Sequence, residues 1–118
     1  MPGTGDVWST AADLARYTTS IHQGAILSAA SLAQLTQAHT PVDGHAAPGS
    51  GSMFADSYGY GVFTGTVAGT PAVFHHGDNP GYLSINVWLP ERAIGYAVLT
   101  NDEGTTRERL LGTLLDIM

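Results

Sequence analysis

The residues best suited to chemistry fall in one short run, His75-His76-Gly77-Asp78-Asn79-Pro80-Gly81. Imidazole changes charge near neutral pH, and with a carboxylate it offers nitrogen and oxygen donors to a metal ion or a polar substrate. Adjacent residues on a strand point to opposite faces, so His75 and His76 do not easily share one ion. A second set, His39, Asp43 and His45, lies in a stretch without a scaffold to orient ligands. No metal site is therefore expected. His76 is read as structural, one ring of a strand end, and His75 is carried forward as the candidate group.

What the chain lacks narrows the chemistry further. None of the 118 residues is lysine, which removes any lysine base, Schiff base or phosphate-binding lysine supplied by this chain. There is no cysteine, hence no disulfide, thiol nucleophile or zinc-thiolate site. The net charge of −6 and four arginines (Arg16, Arg92, Arg107, Arg109) leave no basic stripe for nucleic acid. No apolar run approaches the ~20 residues needed to cross a bilayer, and the compartment stays open. Charged residues make up 12% of the chain, where about a quarter is usual, so part of the surface is expected to be covered by another segment or chain.

The elements that must hold the histidines follow from periodicity and punctuation. Thr10 with Asp13 three residues on reads as a capping box, Leu14, Tyr17 and Ile21 recur at helical spacing, and Gly24 ends a helix over 11–23. Ser28 caps a second helix with Leu32 and Leu35 inward, stopped by Pro41, which makes an N-terminal helical hairpin. Residues 40–57, rich in Pro, Gly and Ser, read as a flexible loop. Four strand-like runs follow, 58–67, 71–75, 82–89 and 94–101, turned by Ala68-Gly69 and by Pro90-Glu91-Arg92-Ala93, in an order that lets the first and last meet. Their short connections imply antiparallel pairing. In the third run Leu83, Ile85, Val87 and Leu89 alternate with Tyr82, Ser84, Asn86 and Trp88.

In the first run Gly59, Gly61 and Gly65 share a face, which predicts a helix crossing close to the backbone. Trp8, Tyr58, Tyr60 and Trp88 are read as core or interface aromatics. Residues 105–118 carry Leu110, Leu111, Leu114, Leu115 and Met118 as a broad stripe, a C-terminal helix that packs on the sheet. The fold class is α+β, an antiparallel sheet within a single domain or fragment spanning residues 1–118.

In this setting the motifs resemble a known family. His75-x-Gly77-x-x-Pro80-Gly81, preceded by Tyr58-Gly59-Tyr60-Gly61-Val62-Phe63 and followed by Leu89-Pro90-Glu91 and Val98-Leu99-Thr100-Asn101, resembles the third conserved box of the serine β-lactamase and penicillin-binding-protein superfamily. Gly5-Asp6-Val7-Trp8-Ser9 and the helix after it are similar to the segment that follows that family's tyrosine box. The resemblance implies a β-lactamase/transpeptidase-like fold and a hydrolase, as in class C β-lactamases, D-alanyl-D-alanine carboxypeptidases and esterases. Such an enzyme forms an acyl-enzyme on the serine of a Ser-x-x-Lys box, assisted by a Tyr-x-Asn box, and needs no cofactor.

Both boxes precede the matched region in the family and neither occurs here; Tyr82-Leu83-Ser84 is a loosened tyrosine box in the wrong place. The chain is thus expected to be a C-terminal portion, inactive alone. It would pair with an upstream segment carrying the two boxes, or with itself, and would serve a parent acting on an ester, amide or β-lactam. His75, Gly77 and the N–H of Asp78 would form its substrate and oxyanion wall, although an aspartate beside an oxyanion departs from the family's usual small neutral residue. The alternative is a non-catalytic ligand-binding or chain-pairing module.

Overall fold

The computed structural model describes residues 3, 5–45, 53–102, 104 and 114. Helix α1 spans Ala11–His22, and Thr10 Oγ1 accepts the Asp13 N–H at 3.1 Å as its N-cap. Helix α2 spans Ala29–Thr36 and begins in the same way, with Ser28 accepting from the Ser31 N–H at 3.2 Å. It stops at Gln37, whose backbone is extended, well before Pro41. Its last carbonyls find partners outside the helix: His39 Nε2 meets Gln34 O at 2.8 Å, and the Tyr60 N–H donates to Leu35 O at 2.9 Å.

Six strands form one antiparallel sheet in sequential order: β1 (Thr40–His45), β2 (Met53–Tyr58), β3 (Phe63–Val67), β4 (Thr70–Asn79), β5 (Tyr82–Leu89) and β6 (Ile94–Thr100). The α+β class stands, with more sheet than expected. Residues 40–57 are not simply a loop, because β1 and β2 occupy the two ends of that stretch and pair with each other. Pro41 is tolerated because β1 is an edge strand.

The expected first run is also divided. Gly59-Tyr60-Gly61-Val62 turns back on itself, with Gly61 at φ +77° and the Gly59 N–H donating to Val62 O at 2.8 Å. Tyr58 therefore closes β2 and faces Phe63, the first residue of β3. Since β1 and β2 extend the sheet beyond β3, the first and last expected runs do not meet; β4 and β5 lie between β3 and β6.

The sheet buries one face. Met53, Ala55, Val67, Ala72, Phe74, Ile85, Val87, Leu89 and Tyr96 form its core. Each large apolar side chain among them contributes roughly 1.5–3 kcal/mol on burial. The alternation expected in the third run is realised in β5, where Ile85, Val87 and Leu89 are buried. Of the expected helix over 105–118 only Leu114 is among the described residues; it is helical and packs against this core, and the rest of that helix lies outside them.

The opposite face receives α1, which lies on β5 and β6 and does not form an extensive hairpin with α2. Its inward stripe is rotated from the expected one: Thr18 is buried, while Tyr17 is 54% exposed. The cause is close approach, since a Cβ on Gly95 would stand 3.2 Å from Thr19 N and 3.4 Å from Ala15 O, so small residues must face the sheet there. The glycines of the expected first run have separate causes. At Gly59 a Cβ would strike the Leu35 carbonyl at the end of α2, and at Gly65 it would strike Phe54 O of the neighbouring strand.

Candidate active site

Strand β4 runs past its neighbour on one side. Its last pair with β3 is Phe74 with Phe63, whereas its pairing with β5 continues to Asn79 opposite Tyr82, where Pro80 and Gly81 (φ +83°) turn the chain. His75 and Gly77 lie on this overhang and stand opposite Asn86 and Ser84. Strand alternation brings these four residues to the face that receives α1. The structure gathers His75 and Gly77 on that face and turns the Asp78 side chain to the other one, where it is exposed. The aspartate carboxylate therefore does not share the face of His75.

Gly77 has a packing reason as well: a Cβ there would collide with Ser84 Oγ. Gly5, at φ +71°, lies against the Asn79 side chain with no room for a Cβ, so the N-terminal segment reaches the end of β4.

His75 is held at both ring nitrogens. Nδ1 is 2.7 Å from the His76 carbonyl oxygen, and Nε2 is 3.1 Å from the Tyr58 hydroxyl. His76 points to the core side, opposite Ile85, with its ring stacked on Phe63 at 5.8 Å and 7°. The two imidazoles nevertheless stay near each other beside Phe63, with centroids 5.7 Å apart at 30°. Among the described residues no three His, Cys, Asp or Glu side chains gather around a common point. His39, from the second set, caps α2 and stacks on Tyr60 at 4.1 Å.

A cavity of about 220 Å³ separates α1 and the end of α2 from the sheet, and His75 opens onto it together with Tyr17, His22, Tyr60, Val73 and Asn86. Asn86 Oδ1 accepts from the Thr18 hydroxyl, which ties α1 to β5. His22 stacks on Trp88 with centroids 5.3 Å apart and planes within 6°, and burial pushes its imidazole pKa below the ordinary value of 6.5. The cavity wall offers hydrogen bonds and orientation. In this wall the Thr18 hydroxyl has a structural task, lying 3.0 Å from Leu14 O and against Asn86 Oδ1.

The sequence matches the beta-lactamase family over residues 1–116. The chain belongs to that family. No curated protein matches it. Among solved structures, the D-amino acid amidase from Ochrobactrum anthropi SV3 is similar in its complex with L-phenylalanine amide, at TM-score 0.70 and 20% identity over 92% of this chain. The same amidase with L-phenylalanine gives the same TM-score, identity and coverage of this chain. The match covers 31% and 32% of the two amidase chains, so this beta-lactamase-family chain spans about a third of their length.

In this beta-lactamase-family chain the motif singles out His75, whereas His22, Thr18 and Asn86, which line the same cavity, and Tyr58, which bonds the His75 ring, carry no motif signal. Asn86 was within reach of the alternation in β5, because its register puts it on the His75 face. Thr18 and His22 depend on the rotation of α1, for which an apolar stripe gave the wrong angle.

Proposed function

We propose that this beta-lactamase-family chain is the C-terminal segment of a serine hydrolase that cleaves an ester, amide or β-lactam through an acyl-enzyme. It supplies the substrate side of the site. His75 orients the substrate, Gly77 keeps the strand flat beneath it, and the Asp78 N–H stands beside the developing oxyanion. The observation that carries this reading is the family match over residues 1–116 in a chain without lysine. A serine is a weak nucleophile without a paired base, so the Ser-x-x-Lys and tyrosine boxes must come from an upstream segment. The extent of the amidase likeness, about a third of that chain, supports such a division.

Mass spectrometry after incubation with a reactive β-lactam tests it. The 118-residue chain is expected to remain unmodified, and the protein joined to a segment bearing Ser-x-x-Lys is expected to acquire one acyl group and to turn over. In the joined protein His75→Ala should slow hydrolysis by about 100-fold, the scale of a misoriented substrate. A stoichiometric adduct on the lone chain would sink the proposal.

A further inference from the structure

We infer that Tyr58 is a positioning residue for His75: the His76 carbonyl sets the Nδ1–H tautomer, and the Tyr58 hydroxyl, donating to the bare Nε2, holds the orientation of the ring. The inference rests on the reading of His75 as part of the site, and it follows from which atoms can donate. The His76 carbonyl can only accept, so Nδ1, 2.7 Å away, carries the proton. A neutral imidazole then has a bare Nε2, and the Tyr58 hydroxyl at 3.1 Å must donate to it. Nδ1–H bonded to a carbonyl is the arrangement that fixes a tautomer.

The placement is built by the strands. Tyr58 ends β2 and His75 lies on β4, with β3 between them. Phe63 is the spacer: it pairs with Tyr58 on one side and Phe74 on the other. The Tyr58 ring meets it edge-on at 4.6 Å, and the His75 ring lies 5.4 Å from it at 31°. Both rings lean on one phenylalanine, so the phenol-to-imidazole distance does not depend on either side chain alone.

The arrangement decides what the ring presents. With Nδ1–H on the His76 carbonyl and Nε2 on the Tyr58 hydroxyl, both nitrogens of His75 are engaged where the ring opens onto the cavity.

The test is long-range ¹H–¹⁵N correlation on the ¹⁵N-histidine-labelled 118-residue chain, with His75→Gln assigning the signals. In the wild-type chain neutral His75 should show a protonated Nδ1 and a bare Nε2, a result that needs no variant to fold. Tyr58→Phe should shift the Nε2 resonance while Nδ1 stays protonated. A wild-type ring protonated at Nε2, or an Nε2 signal indifferent to Tyr58→Phe, overturns the inference. In the protein joined to its Ser-x-x-Lys segment, Tyr58→Phe should lower kcat about tenfold with KM nearly unchanged; a change in KM alone overturns the positioning role. Absence of turnover in the wild-type joined protein would instead defeat the hydrolase reading, and the response of Nε2 to Tyr58→Phe would still decide for or against Tyr58.

Discussion

At the scale of single residues, Tyr96 shows how burial selects a protonation state. It faces the core opposite Val87 at 9% exposure, and desolvation pushes its phenol up to about 12. Among the described residues its hydroxyl has no hydrogen-bond partner. A buried hydroxyl left unpaired costs about 1–3 kcal/mol, so Tyr96→Phe should leave stability unchanged or raise it; urea unfolding showing a loss above ~1 kcal/mol would refute this. Ionisation adds a sign. The unfolded phenol loses its proton first, so the contribution of Tyr96 is complete below pH 10 and lost as pH rises towards 12, a dependence the variant should lack. That His75 and Gly77 share one face was legible at this scale because the alternation of a strand needs only local sequence. Tyr58 was not, because residues 58–67 read as one strand hide the turn at Gly59–Val62 that carries Tyr58 back to face Phe63.

Among the elements, the two helix starts and the Ala68-Gly69 turn were legible because caps and glycine turns are written in residue type; Gly69 takes φ 77°. The strands β1 and β2 were not, since a stretch rich in Pro, Gly and Ser looks like a connection whenever its partner strand is unknown. The seating of α1 was hidden too, because it is set by Gly95. Gly95→Ala should force the helix off β6 and cost about 1–3 kcal/mol, the scale of overpacking, while circular dichroism of the helix changes little; a neutral effect in thermal unfolding would show that α1 has room to move. His22 on the same helix should make stability depend on pH. Its folded pKa lies below 6.5, so as pH falls the unfolded chain takes the proton first and stability drops, with a slope of at most about 1.4 kcal/mol per pH unit for one proton. His22→Phe keeps a ring on Trp88 and should flatten that loss in denaturation series at pH 7.5 and 5.5.

For the whole molecule, the distribution of apolar side chains decides what the chain can do alone. The sheet buries its core on one side, yet Val7 is 87% and Trp8 94% exposed, and Tyr17, Ile26 and Tyr60 are each more than half exposed. Single exposed apolar residues are ordinary, whereas Tyr17 and Tyr60, exposed in the wall of the cavity that opens onto His75, mark a surface to be covered, and Trp8 leads into the helix that carries Tyr17. If the proposed upstream segment covers it, Trp8 should report the event. Trp88 is 7% exposed and stacked on His22, so Trp88→Phe leaves Trp8 as the sole tryptophan at modest cost to packing. In that variant the lone chain should bind a hydrophobic dye and self-associate, and acrylamide should quench its tryptophan emission readily. Joining or adding the segment that bears Ser-x-x-Lys should shift the emission to the blue, protect it from acrylamide and displace the dye. Emission unchanged while hydrolysis is restored would place the docking surface elsewhere on the chain.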